Sequence, residues 1–231
     1  MYASSARTAL ASFARTRTPA LFLRPTAARF ALRTMATGGT YLDVTHEIKL
    51  DHDNVRDLFE RYKAATDLNQ KTIIANTLIR EMAIHGDAEE ISVYNDYSAL
   101  GLADTAAHNK EEHAEIKKLV YDADATRVTK AEYDDVLQRA VTAFLTHAKE
   151  EEDEQHPLIR QKLSPEDNDK IARAFLKART TVPTRPHPWA PQTGGIAQKA
   201  AGLQGALHDK VVETVEGRQF VDLKYQHPSE F

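Results

Sequence analysis

Two short segments of the chain share one arrangement of side chains: His147 is followed four residues later by Glu151, and His85 by Glu89. On an α-helix, residues i and i+4 lie on one face with their roots about 6 Å apart, so each pair can converge on one cation. Two such pairs suggest a two-metal site. The sequence contains no cysteine, which excludes disulfides, iron–sulfur clusters and thiolate zinc sites and leaves nitrogen and oxygen as ligand atoms. The two oxygens of a carboxylate can span two cations, which suits Glu89 and Glu151 as bridges, while neutral imidazoles fill terminal positions. Mixed nitrogen and oxygen ligation favours iron, then manganese or zinc.

Such pairs act together only if the helices that bear them turn them inward. The hydrophobic period predicts a first helix over about residues 46–66, with Val44, Ile48, His52, Val55, Phe59 and Tyr62 on one stripe. Asp67 and Gln70 read as a capping box opening a second helix, which carries Leu78, Met82, His85, Glu89 and Val93 inward and runs to Tyr94 or Tyr97. A third, over about 104–121, aligns Ala106, Asn109, His113, Ile116 and Val120. The fourth is opened by a box at Thr129 and Glu132, aligns Leu137, Ala140, Phe144, His147 and Glu151, and is ended or bent by Pro157. Ser164 and Pro165 open a further helix that packs on the bundle. The pattern is an all-α bundle of antiparallel helices. At about 1.5 Å per residue, His52 and His85 stand about 21 and 24 Å from the turn joining their helices, but His113 and His147 about 13 and 26 Å from theirs.

Four inward histidines and two inward carboxylates are unfavourable in a core unless something satisfies them, and a dinuclear metal centre does so. The order Asp51-His52-Asp53, then His85 and Glu89, then Glu112-His113, then His147, Glu151 and Glu152 before Pro157 resembles the hemerythrin-like, or HHE cation-binding, domain over about residues 46–160. The resemblance implies an up-down-up-down four-helix bundle holding two carboxylate-bridged, non-haem iron ions. It implies as ligands His52, His85, Glu89, His113, His147 and Glu151. One departure stands out: oxygen-carrying members place two histidines four apart on the third helix, whereas here His113 is flanked at that spacing by Asn109 and Lys117. One iron then lacks a terminal imidazole, and Asn109, water or an exogenous ligand completes it.

The expected function is to bind or sense a small oxidant, oxygen, nitric oxide or peroxide, and to report or consume it, with Tyr62 or a nearby carboxylate as proton source. The alternatives are iron storage or sensing without catalysis, and a metal-free helical interaction module. Glu90, Glu150 and Glu152 are expected to be solvated, with Glu90 or Glu152 as the substitute bridge for a register shifted by one residue, His46 and His108 to lie at the surface, and His156 to pack locally. His187, His208 and His227 are given no metal role.

Outside the bundle, assigned to residues 43–180, the sequence has two further parts. Residues 1–42 contain six Arg and no Asp or Glu, the composition of a mitochondrial transit peptide directing the protein to the matrix, with Met35 as a second start giving a cytosolic form. Arg24 and Arg29 interrupt the apolar runs, so no transmembrane segment is expected. With six positive charges in residues 1–42 and a formal net charge of −4, the remaining chain carries about −10, which disfavours nucleic acid as a partner; protein partners are left open. In residues 181–231, the proline-rich stretch from Val182 to Pro191 reads as an extended strap anchored by Trp189. A weakly amphipathic helix follows over 196–216, using Ile196, Leu203, Leu207, Val211 and Val215, with Gly202 and Gly205 against it, and reads as a mobile tail or as a partner-binding or lid segment.

Overall fold

The computed structural model of the chain describes residues 41–190 and 195–231, so the leader reading of 1–42 and the start at Met35 lie almost wholly outside the described residues. Asp43 opens α1 (Val44–Ala64) by accepting from the Thr45 N–H, and Asp67 opens α2 (Leu68–Ile91) by accepting from that of Gln70. The second helix stops short of the expected Tyr94 or Tyr97. Ser92 Oγ donates back to the Ala88 carbonyl, a side-chain bond that competes with the helical ladder, and the chain re-forms as a single turn, α3 (Tyr94–Tyr97). Gly101, at φ 71°, reverses the chain while the Leu102 N–H bonds the Tyr97 carbonyl at 2.8 Å.

The third long helix, α4 (Ala103–Ala125), runs past the expected end at Tyr121, and α5 (Tyr133–Glu150) starts after the Thr129 box, which forms turns instead. Those shifts remove the height mismatch: His113 is about 18 Å from the end of its helix and His147 about 21 Å from the start of its own. Beyond α5 the backbone widens into a π turn over Glu151–Gln155 and resumes as α6 (His156–Lys162). The wider turn relieves the clash that the Pro157 ring would make with the carbonyl four residues earlier. Ser164 caps α7 (Pro165–Arg179), and α8 spans Gly195–Glu216.

Helices α1 and α4 each pack against both α2 and α5, closing a four-helix ring, and α7 lies against α1 and α2. All regular structure among the described residues is helical. Two apolar clusters fill the ring. One joins Val55, Leu58, Leu78, Val120, Leu137 and Phe144; the other joins Val44, Ile48, Ile84, Ala106, Ile159 and Phe175. The inward histidines and glutamates fall where each helix passes from one cluster to the other.

The helix expected over 196–216 forms as α8, with its apolar face left uncovered. The apolar ladder of α8, Leu203, Leu207, Val211 and Val215, is 57% to 82% exposed. The helix is held instead by buried Asp209, which accepts from the N–H groups of Thr184 and Arg185 at 3.0 Å each. A Cβ on Gly205 would come within 3.0 Å of Pro183 Cγ, so the glycine that weakens helix propensity is what lets α8 approach the strap. Trp189 meets Tyr121 edge-on yet stays 77% exposed, a weak anchor. The final segment lies along the bundle, with Asn54 exchanging two hydrogen bonds with the Tyr225 backbone at 2.9 Å and Val221 N–H bonding Thr77 Oγ1.

Phe144 is buried in the first cluster and stands edge-on to His52 and His85, ring centroids 5.9 and 5.0 Å away. Phe144→Ala is expected to cost about 3–5 kcal/mol through lost burial and a cavity. A urea midpoint followed by helical circular dichroism checks it.

Candidate dinuclear metal centre

The structure brings all six singled-out donors together. His52 comes from α1, His85 and Glu89 from α2, His113 from α4, His147 from α5 and Glu151 from the π turn, and each is at most 3% exposed. They form two groups able to hold a metal ion, His52 with His85 and Glu151, and Glu89 with His113 and His147, the donor atoms of each lying within 4.8 Å of one another. The imidazoles face each other in pairs: Nε2 of His52 is 3.3 Å from Nε2 of His85, and Nε2 of His113 is 2.9 Å from Nε2 of His147. Each carboxylate addresses both pairs. Glu151 lies 3.4 Å from His52 through Oε2 and 3.4 Å from His147 through Oε1, while Glu89 Oε2 lies 3.3 Å from His85 and 3.5 Å from His113.

What turns the Nε2 atoms inward is a set of carboxylates behind the rings. Nδ1 of His52 bonds Glu152 at 2.8 Å, that of His85 bonds Asp51 at 3.1 Å, and that of His147 bonds Glu112 at 2.7 Å. Nδ1 of His113 lies 3.4 Å from Glu90. An ionised carboxylate only accepts, so it fixes the proton on Nδ1 and leaves the Nε2 lone pair aimed at the centre. Two such lone pairs cannot face each other at 2.9 Å without a positive charge between them. Oε1 of Glu89 and Oε2 of Glu151 are also buried without hydrogen-bond partners. A cation between the pairs meets both needs, so the donor set fits a metal.

The electrostatics point the same way. Burial pushes the His85 imidazole down, but Glu89 and Asp51 outweigh it and raise it to about 10. His147, also opposed by burial, is raised to about 9, chiefly by Glu151. Burial acts to raise the Glu151 carboxyl, yet His147 and His52 hold it well below the usual carboxylate range.

Several expectations need correction. Glu90 is buried, and Glu152 is bonded to His52 and Arg56 rather than solvated. Both sit one residue beyond an inward glutamate, about 100° round the helix, where they meet the back of a histidine. Asn109 does not aim its oxygen at the centre: its amide donates to Glu151 at 3.1 Å, and its oxygen accepts from Gln155 at 3.0 Å. Tyr62 lies away from the centre, bonded to Asp134. His227, given no role, bonds Asp51 and Glu47 at 2.8 Å each, so the C-terminal segment touches the support of His85. His46 and His108 are exposed as expected, and His156 is buried, stacked on His52 with centroids 6.2 Å apart.

Sequence reasoning missed Tyr94 outright. Its hydroxyl is 3.0 Å from Glu89 Oε2, 3.0 Å from Glu151 Oε1 and 3.2 Å from His113 Nε2. On a continuous α2 it would fall off the inward stripe, and only the break at Ser92 returns it. The carboxylates behind the rings had a signal, since Asp51, Glu112, Glu90 and Glu152 each adjoin a singled-out residue in sequence.

The family model of the hemerythrin HHE cation binding domain matches residues 43–159. An uncharacterized hemerythrin-like protein of Schizosaccharomyces pombe is 27% identical over 176 residues, covering 75% of this chain and 86% of that protein. A DNA nickase of Nostoc sp. is 24% identical over 145 residues, covering 62% of this chain but 41% of that protein's length. No solved structure matches the chain significantly.

The raised imidazoles give a pH dependence with a definite sign. Folded values of about 10 for His85 and about 9 for His147 lie above the ordinary 6.5. Their stabilisation is therefore fully present below about pH 6.5 and is lost as pH rises through about 9 and then about 10. Metal-stripped protein is expected to lose urea resistance from neutral pH to about pH 10; a flat series of midpoints would contradict this.

Proposed function

The chain belongs to the hemerythrin HHE cation-binding domain family, and on that premise we propose that His52, His85, Glu89, His113, His147 and Glu151 bind two non-haem iron ions. His52 and His85 serve one ion and His113 and His147 the other, with Glu89 and Glu151 spanning the two. The observation that carries the reading is the pair of inward-facing imidazole sets with carboxylates on both sides of them. Manganese and zinc accept the same donors and rank behind iron.

The ligand we propose is a small oxidant: oxygen, nitric oxide or peroxide. Iron bound there would supply redox chemistry and a Lewis-acid position for it. The protein's part is to orient the imidazoles through the carboxylates behind them, keep the donors dry and limit what enters. A cavity of about 20 Å³ lies against His113, lined by Met82, Gly86, Phe144 and the strap residue Pro186. That is room for about one water-sized molecule beside the Nδ1 edge of His113, behind the donors, an approach that would pass a diatomic ligand or peroxide but not an organic substrate. The second reading is iron sensing without turnover. It draws support from the origin of the donors in every helix of the ring, because ligation energy then becomes folding energy. We propose no nucleic-acid partner, since the body is acidic and such partners require clustered cations. The Arg-rich leader supports a mitochondrial location, which the mature N-terminus in purified organelles would test.

Metal analysis of protein loaded without oxygen is expected to give two irons per chain. Metal held at a hundredfold excess over its Kd should stabilise the fold by about 2.7 kcal/mol, reversed by chelation. Absence of bound metal, with an unmoved Tm on His147→Ala, would remove both metal readings. Access is tested at Gly86, where a Cβ would meet His113 Nδ1 at 3.5 Å, an ordinary contact. Gly86→Ala should slow nitric oxide binding to the reduced iron protein several-fold while stabilising α2 by about 0.5–1 kcal/mol. An unchanged on-rate would place the entry elsewhere.

A further inference from the structure

The histidine missing from the third helix leaves the His113 and His147 side one donor short, and the residue at that spacing, Asn109, is turned to other work. Its amide donates to Glu151 Oε1 at 3.1 Å and to Gln155 Oε1 at 2.9 Å, and its oxygen accepts from Gln155. The oxygen that does reach the centre belongs to Tyr94. It stands 3.0 Å from one oxygen of each glutamate and 3.2 Å from His113 Nε2, and its ring tilts against the His113 imidazole at 5.4 Å. Those three atoms belong to the donor set itself, so the phenol oxygen lies among the ligand atoms rather than behind them.

From this geometry, and resting on the two-iron reading, we infer that Tyr94 Oη is a direct ligand of the iron held by His113 and His147, taking the place of the absent third-helix imidazole. The placement is built into the backbone. Ser92 interrupts α2, the one-turn α3 carries Tyr94 back over the bundle, and Gly101 closes that turn. Tyr97, on the same turn, packs against the Tyr94 ring with centroids 5.2 Å apart and reaches Gln155. Tyr94 is 2% exposed, so its oxygen is shielded from bulk solvent. On ligation the O–H bond breaks heterolytically: the oxygen keeps the electron pair and donates it to iron, and the proton leaves to solvent. No change in iron oxidation state accompanies the step. The anionic oxygen makes this half of the centre harder and more electron-rich than the His52 and His85 half, which disfavours reversible oxygen carriage and favours retention of ferric iron.

The test uses the full chain loaded with iron(II), oxidised with ferricyanide, and examined by visible absorption and resonance Raman spectroscopy. A phenolate-to-iron(III) charge-transfer band with enhanced tyrosinate ring modes is expected. Tyr94→Phe should lose both signals, while Tyr97→Phe should keep them. Should Tyr94→Phe fail to fold, Tyr94→His, which restores an imidazole, should bind two irons without the band. Gallium(III), which undergoes no redox change, should give the ultraviolet difference spectrum of one ionised phenol in the wild type. Two irons bound with no tyrosinate signal, or a signal that survives in Tyr94→Phe or Tyr94→His, overturns the assignment and leaves the phenol a hydrogen-bond donor to the glutamates. Failure of the wild type to bind iron overturns the two-iron reading instead, and this inference with it.

Discussion

The interaction on which the rest depends is the meeting of four imidazole Nε2 atoms and two carboxylates in one dry layer of the bundle. Neighbouring lone pairs at 2.9 and 3.3 Å, with glutamate oxygens at 3.3 to 3.5 Å, leave a position that only positive charge can occupy favourably. Elsewhere in a core such a collection would be heavily penalised. Here each helix contributes to it, so helix height, rotation and length are constrained by the same requirement. The two apolar clusters on either side supply the burial that holds the helices together, and the polar layer decides in which register they come together.

Around that layer the charges are arranged in shells of alternating sign. Asp51 orients His85 and is itself held by Arg179 from α7 and by His227 from the C-terminal segment. Glu152 supports His52 and is paired with Arg56, and Glu90 stands between His113 and Lys117. Burial acts against the Glu152 carboxyl, but His52 and Arg56 hold it at about 2. Elements that look peripheral, α7 and the last residues of the chain, therefore bear on the rings at the centre through one intermediate carboxylate.

The irregular backbone is concentrated where the site needs it. The break at Ser92 comes three residues after Glu89, and the π turn begins at Glu151 itself. A regular helix could not place Glu151 on the stripe and also accommodate Pro157, and a regular α2 could not bring Tyr94 back to Glu89. Departures of this kind are common where a functional geometry overrides local propensity.

By itself the sequence determined the capping at Asp67 and Ser164, from side chains that accept the free N–H groups of a first turn, and the bundle with the inward position of His52, His85, Glu89, His113, His147 and Glu151, because these follow from the 3.6-residue period of the helices that bear them. The period is also why it failed nearby. Tyr94 and the extent of α2 depend on a side chain that breaks the ladder, and the start of α5 on turns that a capping signature did not reveal. Glu90 and Glu152 read as solvated because one helix shows only that they lie off its stripe, not that a neighbouring helix covers them. The outward ladder of α8, the docking of its Asp209 on the strap and the reach of His227 to Asp51 were decided by tertiary structure alone. The last two join residues more than 20 positions apart in sequence, and no local pattern encodes which distant partner satisfies a buried charge or covers an apolar face.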